Sequence, residues 1–223
     1  MAYGVYKSVN KILVTVPFFP LSMVAFPGEL VNLHIFEERY RQLFRELEAG
    51  EVDRFVLLPH IDGRLRSRGT VMRLQRVAKA YESGESDVEV LGTDVVEVRS
   101  FSKQLPGKPY AGGETRATEL VLSASDDTNA ALLIERCGDL MRTLGVHKHL
   151  PDPELPGLSF AIGHLAGLSP AQEYRLLSLK TEDERQGYLL NQIARSIRTA
   201  KKAREMRKQI QMNGHYRYLT ENG

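Results

Sequence analysis

Cys137 lies ten residues before His147-Lys148-His149, and His60 stands two residues from Asp62. These are the residues in the chain that zinc chemistry would draw on. Zinc needs three or four ligands at recurring spacings, usually supplied as CxxC or HxxxH pairs. Neither pair occurs, so the histidines read as solvent-facing residues at a helix end and in a turn, and no metal ligand is assigned. Phosphate chemistry fares no better. The glycine cluster from Gly107-Lys108 to Gly112-Gly113 has no hydroxyl residue after its lysine, as a phosphate loop requires. A Gly-x-Ser-x-Gly nucleophile elbow is also missing. No catalytic residue and no cofactor is expected, and the chain reads as a non-enzyme.

Charge offers a second route to function. Arg195, Arg198, Lys201, Lys202, Arg204, Arg207 and Lys208 place seven cations against one acid, Glu205. Such density docks on phosphates, and it is equally the solvated face of a long helix. Ile193, Ile197, Ala200 and Ala203 fall at helical spacing and supply an apolar stripe beneath that face. No aromatic residue interleaves the cations before Tyr216 and Tyr218, so base stacking has little support. A structural or protein-docking use, to a partner chain or a second copy, is preferred over nucleic acid.

The third candidate is the stretch Pro17 to Pro27, PFFPLSMVAFP. Proline fixes φ and removes a backbone donor, so it marks strand ends and edges. The expectation is a strand over Ile12–Val16, an irregular apolar loop through Pro27-Gly28, and a second strand over Leu30–Ile35. Phe18 and Phe26 are expected to pack inward, whereas a proline-broken loop leaves Phe19, Leu21 and Met23 partly exposed. Exposed apolar patches mark binding surfaces, and methionine and aromatic side chains adapt to varied partners. The candidate protein-binding residues are Phe19, Leu21, Met23 and Phe26.

Several of these segments carry a resemblance. Pro17 to Leu21, the turn Phe26-Pro27-Gly28, and Leu33-His34-Ile35-Phe36-Glu37 followed by Arg39-Tyr40 resemble the N-terminal substrate-binding domain of Lon proteases. Gly69-Thr70-Val71 and the segment from Val88 to Gly92 are similar to later strands of that family, and Arg207 to Leu219 is similar to its linker helix. The likeness covers nearly the whole chain and is strongest over residues 12–74. It implies a PUA-like pseudo-barrel and a free-standing, non-catalytic module that recognises unfolded or exposed apolar polypeptide segments. A separate ATP-dependent protease is a further partner it would admit. An RNA-binding module is the alternative, by fold analogy alone.

The elements that would position these residues follow from pattern. Tyr40, Leu43, Phe44 and Leu47 form one stripe of a helix over Glu37–Ala49, with Gly50 as its cap. Short strands are expected over Phe55–Leu58, Thr70–Tyr81, Ser86–Val98 and Thr115–Leu122, with a turn at Gly84 and a bulge near Gly92–Asp94. From Ser123 the composition turns helical. Ser125-Asp126-Asp127 caps a helix to about Leu144, Phe160–Leu165 forms a short one, and Ser169-Pro170 opens another. The last, begun by Thr181 to Glu184, runs to about Met212. The fold class is α+β: a β-rich barrel over residues 1–122, then a helical part over 123–223 ending in one long helix. At 223 residues, 42% hydrophobic and a formal charge of +2, the chain can bury a real core and has no overall electrostatic case for nucleic acid. Lys7 and Lys11 before Ile12–Phe26 mimic a secretion signal, but two prolines interrupt that run and no small-residue cleavage site follows. A single cysteine fits a reducing compartment, and a cytoplasmic protein without a membrane span is expected.

Overall fold

The computed structural model describes residues 13–124 and 128–220. Seven strands come first: β1 (Val14–Leu21), β2 (Leu30–Ile35), β3 (Phe55–Ile61), β4 (Arg64–Leu65), β5 (Arg68–Ala80), β6 (Ser86–Val98) and β7 (Gly112–Ala117). One helix, α1 (Glu38–Glu48), lies between β2 and β3. Four follow: α2 (Thr128–Leu144), α3 (Leu158–Gly163), α4 (Pro170–Ser178) and α5 (Glu182–Thr220). The sheet order β1-β7-β6-β5-β3 closes on itself because β1 also pairs with β3, in parallel. The result is a barrel-like sheet with a helical region beyond it, an α+β fold.

β1 departs from the expected break at Pro17. It runs straight through Pro17 and Pro20, pairing with β7 over Val14–Pro17 and with β3 over Phe18–Leu21. The Phe18 amide donates to Ala111 O beside β7, so by strand alternation the amide position of residue 20 faces β7 and that of 17 faces β3. Pairing with β7 has ended by Pro20, and pairing with β3 begins only at Phe18. Each proline lacks an N–H only where no partner needs one. Ile12 lies outside the described residues.

β3 likewise passes Pro59 to reach Ile61, because a hairpin at Asp62-Gly63 pairs His60 and Ile61 with β4. Both turn residues have positive φ, 53° and 71°, as a tight primed turn requires. β7 starts at Gly112 rather than Thr115, so a glycine pair read as loop belongs to the ladder. A Cβ on Gly113 would lie 2.1 Å from Ser100 O, so only glycine lets the chains approach. The expected bulge is present: β5 pairs Val71 with Asp94 but Met72 with Gly92, skipping Thr93.

α1 lays Tyr40, Leu43, Phe44 and Leu47 over Phe19, Phe55, Met72, Val88 and Val90. The helices pack a second cluster, with Leu133, Leu140, Leu176, Leu189 and Ile193 at its centre. The expected cap at Ser125-Asp126-Asp127 lies outside the described residues. α3 begins two residues earlier than expected, and α5 extends beyond Met212 to Thr220. The expected capping box of Thr181 with Glu184 forms, and the expected N-cap Ser169 makes a full box with Gln172 as well.

Candidate functional site

The segment from Phe18 to Glu29 is the seam between the two clusters. Alternating side chains go to different cores: Phe19 and Ala25 join the α1-covered cluster, while Val24 and Phe26 join the helical one. The chain is pinned on the way by Thr70 Oγ1, which donates to Ala25 O at 2.6 Å. Pro27-Gly28 then makes the reversal, with Gly28 at φ 84°, the value that favours glycine at the third position of a type II turn. Gly28 N donates to Gly92 O and Gly92 N to Glu29 O, both at 2.9 Å. That clamp explains Gly92: a Cβ there would meet Phe26 O at 2.2 Å.

The four candidate residues divide. Phe19 is buried under Tyr40, whose ring centre is 4.2 Å away, because β1 continues through Pro20 and alternation turns Phe19 inward. Phe26 is buried as well, stacked on Phe160 at 5.3 Å and on His164 at 4.8 Å. The expected partial exposure of Phe19 is therefore corrected, and Phe26 holds the seam rather than facing solvent. Leu21 and Met23 are half-buried at the rim of the α1-covered cluster.

Five more apolar residues stand half-buried against that cluster: Leu33 on β2, Leu74 and Val77 on β5, and Val52 and Leu105 in loops. Among the described residues β2 pairs with β6 alone, so its other edge offers backbone donors and acceptors that no described strand takes up. On its outward parity Leu30 is 60% and Phe36, just past the strand, 59% exposed. Alternation over Leu30–Ile35 already places Val31, Leu33 and Ile35 on one side and Leu30 on the other. That signal was in the sequence and was not used for the site.

Next to the Gly28 turn sits a charged clasp. His164, just past α3, has Nδ1 2.7 Å from Glu173 Oε1 of α4 and Nε2 3.1 Å from Glu29 Oε2. Glu29 Oε2 also accepts the Phe26 amide at 2.8 Å. Hydrogen bonds to Glu173 and then Glu29 push the imidazole up to about 9 against partial burial. The clasp ties loop, α3 and α4 together.

The other candidate residues lie elsewhere in the fold. Cys137 is fully buried among helices, and burial raises its thiol to about 11, which keeps it protonated and weakly reactive. Among the described residues no three His, Cys, Asp or Glu side chains gather as a metal site would need. Among them, too, no helix is long and apolar enough to cross a membrane. Of the basic run, Arg195, Arg198, Lys201, Lys202, Arg204 and Arg207 are exposed on α5.

A barrel-like sheet with α1 over one core, a proline-pinned seam and a trailing long helix defines a class. The profile of the substrate-binding domain of ATP-dependent protease La (LON) matches residues 15–215, and the chain belongs to that family. Its fold is similar to that of a Lon N-terminal domain protein from Xanthomonas campestris, with 22% identity and a TM-score of 0.61 over 80% of this chain and 98% of that one. It is similar also to the N-terminal domain of a Mycobacterium avium complex Lon protease, with 18% identity and a TM-score of 0.58 over 81% of this chain and 98% of that one. No curated protein sequence matches the chain significantly.

Proposed function

We propose that this chain binds unfolded, apolar stretches of other polypeptides without acting on them chemically. The observation that carries the reading is the set Leu21, Met23 and Leu33, half-buried against a cluster whose members are fully buried, with Leu33 on β2, whose second edge has no strand partner among the described residues. An extended client would pair its backbone with that edge and lay alternate apolar side chains on the rim. Membership of a substrate-binding family supports the same assignment. Phe19 and Phe26 serve it from beneath by fixing the course of the seam. Affinity in the micromolar range or so is expected, since few anchors must offset the ordering of an unfolded client. The division near residue 122 would then separate a binding barrel from a helical support, in a reducing compartment.

The test is titration of a labelled, permanently unfolded protein against wild type and the double variant Leu21→Ser/Met23→Ser. The variant should bind about tenfold more weakly, a loss of about 1.4 kcal/mol. Wild-type binding should change little with salt, because apolar burial carries it. Equal affinity for both proteins sinks the reading. So does wild-type binding that collapses as salt rises, which marks a polyanion-binding protein instead.

A further inference from the structure

α5 outruns the helix it packs on. Its core-facing stripe is fully buried at Leu189 and Ile193, half-buried at Ile197 and Ala200, and exposed by Ala203. α2 stops at Leu144, where Gly145 at φ 70° turns the chain away, and Leu144 itself is 54% exposed. The step leaves a cleft of ≈ 450 Å³ floored by Leu144, Ala200 and Ala203 and rimmed by Arg142, Arg204 and Arg207. An adjoining cleft of ≈ 350 Å³ shares Arg142 and Arg204 and adds Arg136, Lys201 and Asp139.

We propose that this two-part cleft docks an acidic segment of a partner polypeptide, its small apolar side chains on the alanine floor and its carboxylates on the arginine rim. Five cations face one carboxylate here, and that carboxylate is occupied: Asp139 holds Arg142 at 2.7 Å and Arg136 at 3.3 Å. Among the described residues no acid pairs with Lys201, Arg204 or Arg207. The carbonyl end of α2 cancels only about half a charge of this field. The Asp139 pairs show the arrangement that an incoming Asp or Glu would repeat. An apolar floor favours a polypeptide, since a phosphate backbone has nothing to bury on it. Among the described residues no aromatic side chain lines either cleft, so nucleic-acid bases find no stacking platform there. The site is separate from the Leu21–Met23 rim and stands whether or not that rim binds clients.

The experiment uses the full chain and three labelled probes in fluorescence anisotropy: a helical peptide of Glu and Leu, the same peptide with Gln for every Glu, and an oligothymidylate. The acidic peptide should bind at least about tenfold tighter than its Gln counterpart, and rising salt should erase the difference. Arg204→Glu/Arg207→Glu should cut acidic-peptide binding about tenfold or more, whereas Arg64→Glu, a charge reversal at an exposed position on the barrel, should leave it unchanged. Arg204 and Arg207 are exposed, so the fold should survive, and thermal melting checks that. Arg207→Glu alone gives a milder second reading of the same loss. Equal binding of the two peptides, or no effect of the charge reversals, overturns the proposal. Tighter binding of oligothymidylate than of the acidic peptide overturns it in favour of a phosphate surface.

Discussion

Two of the junctions between the barrel and the helices are built in opposite ways. At the first, Arg185 of α5 is fully buried and every guanidinium nitrogen is used. It donates to Ser159 Oγ, to the carbonyls of Leu179 and Lys180, to Val121 O just beyond β7, and twice to Glu182. Glu182 in turn takes the Ser159 amide at 2.8 Å, and the Phe160 ring lies 4.4 Å from the guanidinium carbon. At the second, the seam of residues 24–29 meets α3 through apolar stacking, with the His164 clasp half in solvent. The first junction has no intermediate state, because either partner alone is a buried charge. The second is graded: packing holds it, and the clasp adjusts it. A binding surface on the seam side can yield to a client without disturbing the hub.

Breaking the hub should have the largest effect. Arg185→Met strands Glu182 in the core and should cost about 3–5 kcal/mol in urea unfolding. Arg185→Met/Glu182→Leu should recover a large part of that loss, because an apolar pair of similar volume leaves no unpaired charge. A single-variant loss below about 1 kcal/mol would mean the junction is not closed to water, and the contrast between the two junctions would fall.

The seam should be less sensitive, and two glycines separate its causes. Gly92→Ala forces a Cβ against the Phe26 carbonyl and should cost about 1–3 kcal/mol, the scale of overpacking. Gly28→Val meets open space but must hold φ 84°, for about 1–2 kcal/mol of backbone strain. A Gly28→Val protein that melts like wild type would show that the turn can relax, and that the Gly92 clamp alone sets the seam.

The smallest effect belongs to the clasp. His164 titrates at about 9 in the folded chain against 6.5 ordinarily, so the protonated ring is the stabilising form. Its contribution is complete below pH 6.5 and fades as pH rises through about 9. The gap in melting temperature between wild type and His164→Asn should narrow across that window. A gap that widens with pH would reverse the assigned sign.

Legibility followed locality. Alternation over Ser86–Val98, the α1 stripe, the Gly84 turn, the Ser169 N-cap and the Thr181–Glu184 capping box could be read because each depends on neighbours within a few residues. Pro17 and Pro20 could not, since a proline in a strand is harmless only when the partner on its N–H side is missing there, a fact of distant β3 and β7. The buried Phe19 is the direct consequence of that miss. Gly112-Gly113 read as loop for the same reason, as the carbonyls they admit come from Val16 and Ser100. Arg185 sits in a charged first turn, Glu182 to Gln186, that looks like a solvated helix start. Only the fold brings Ser159 and Val121 to it. The site was half legible: Leu21 and Met23 from composition, the parity of Leu33 from alternation, and the β2 edge only from topology.

The most direct test of the binding account is a hydrogen-exchange footprint of the chain with and without an unfolded client that carries no acidic run. Added protection should appear at the amides of residues 21–23 and along β2, residues 30–35, and should be absent from the α2–α5 cleft. Protection confined to the helices, or a footprint on the barrel that avoids both segments, would contradict the assignment of the rim and edge as the polypeptide-binding surface.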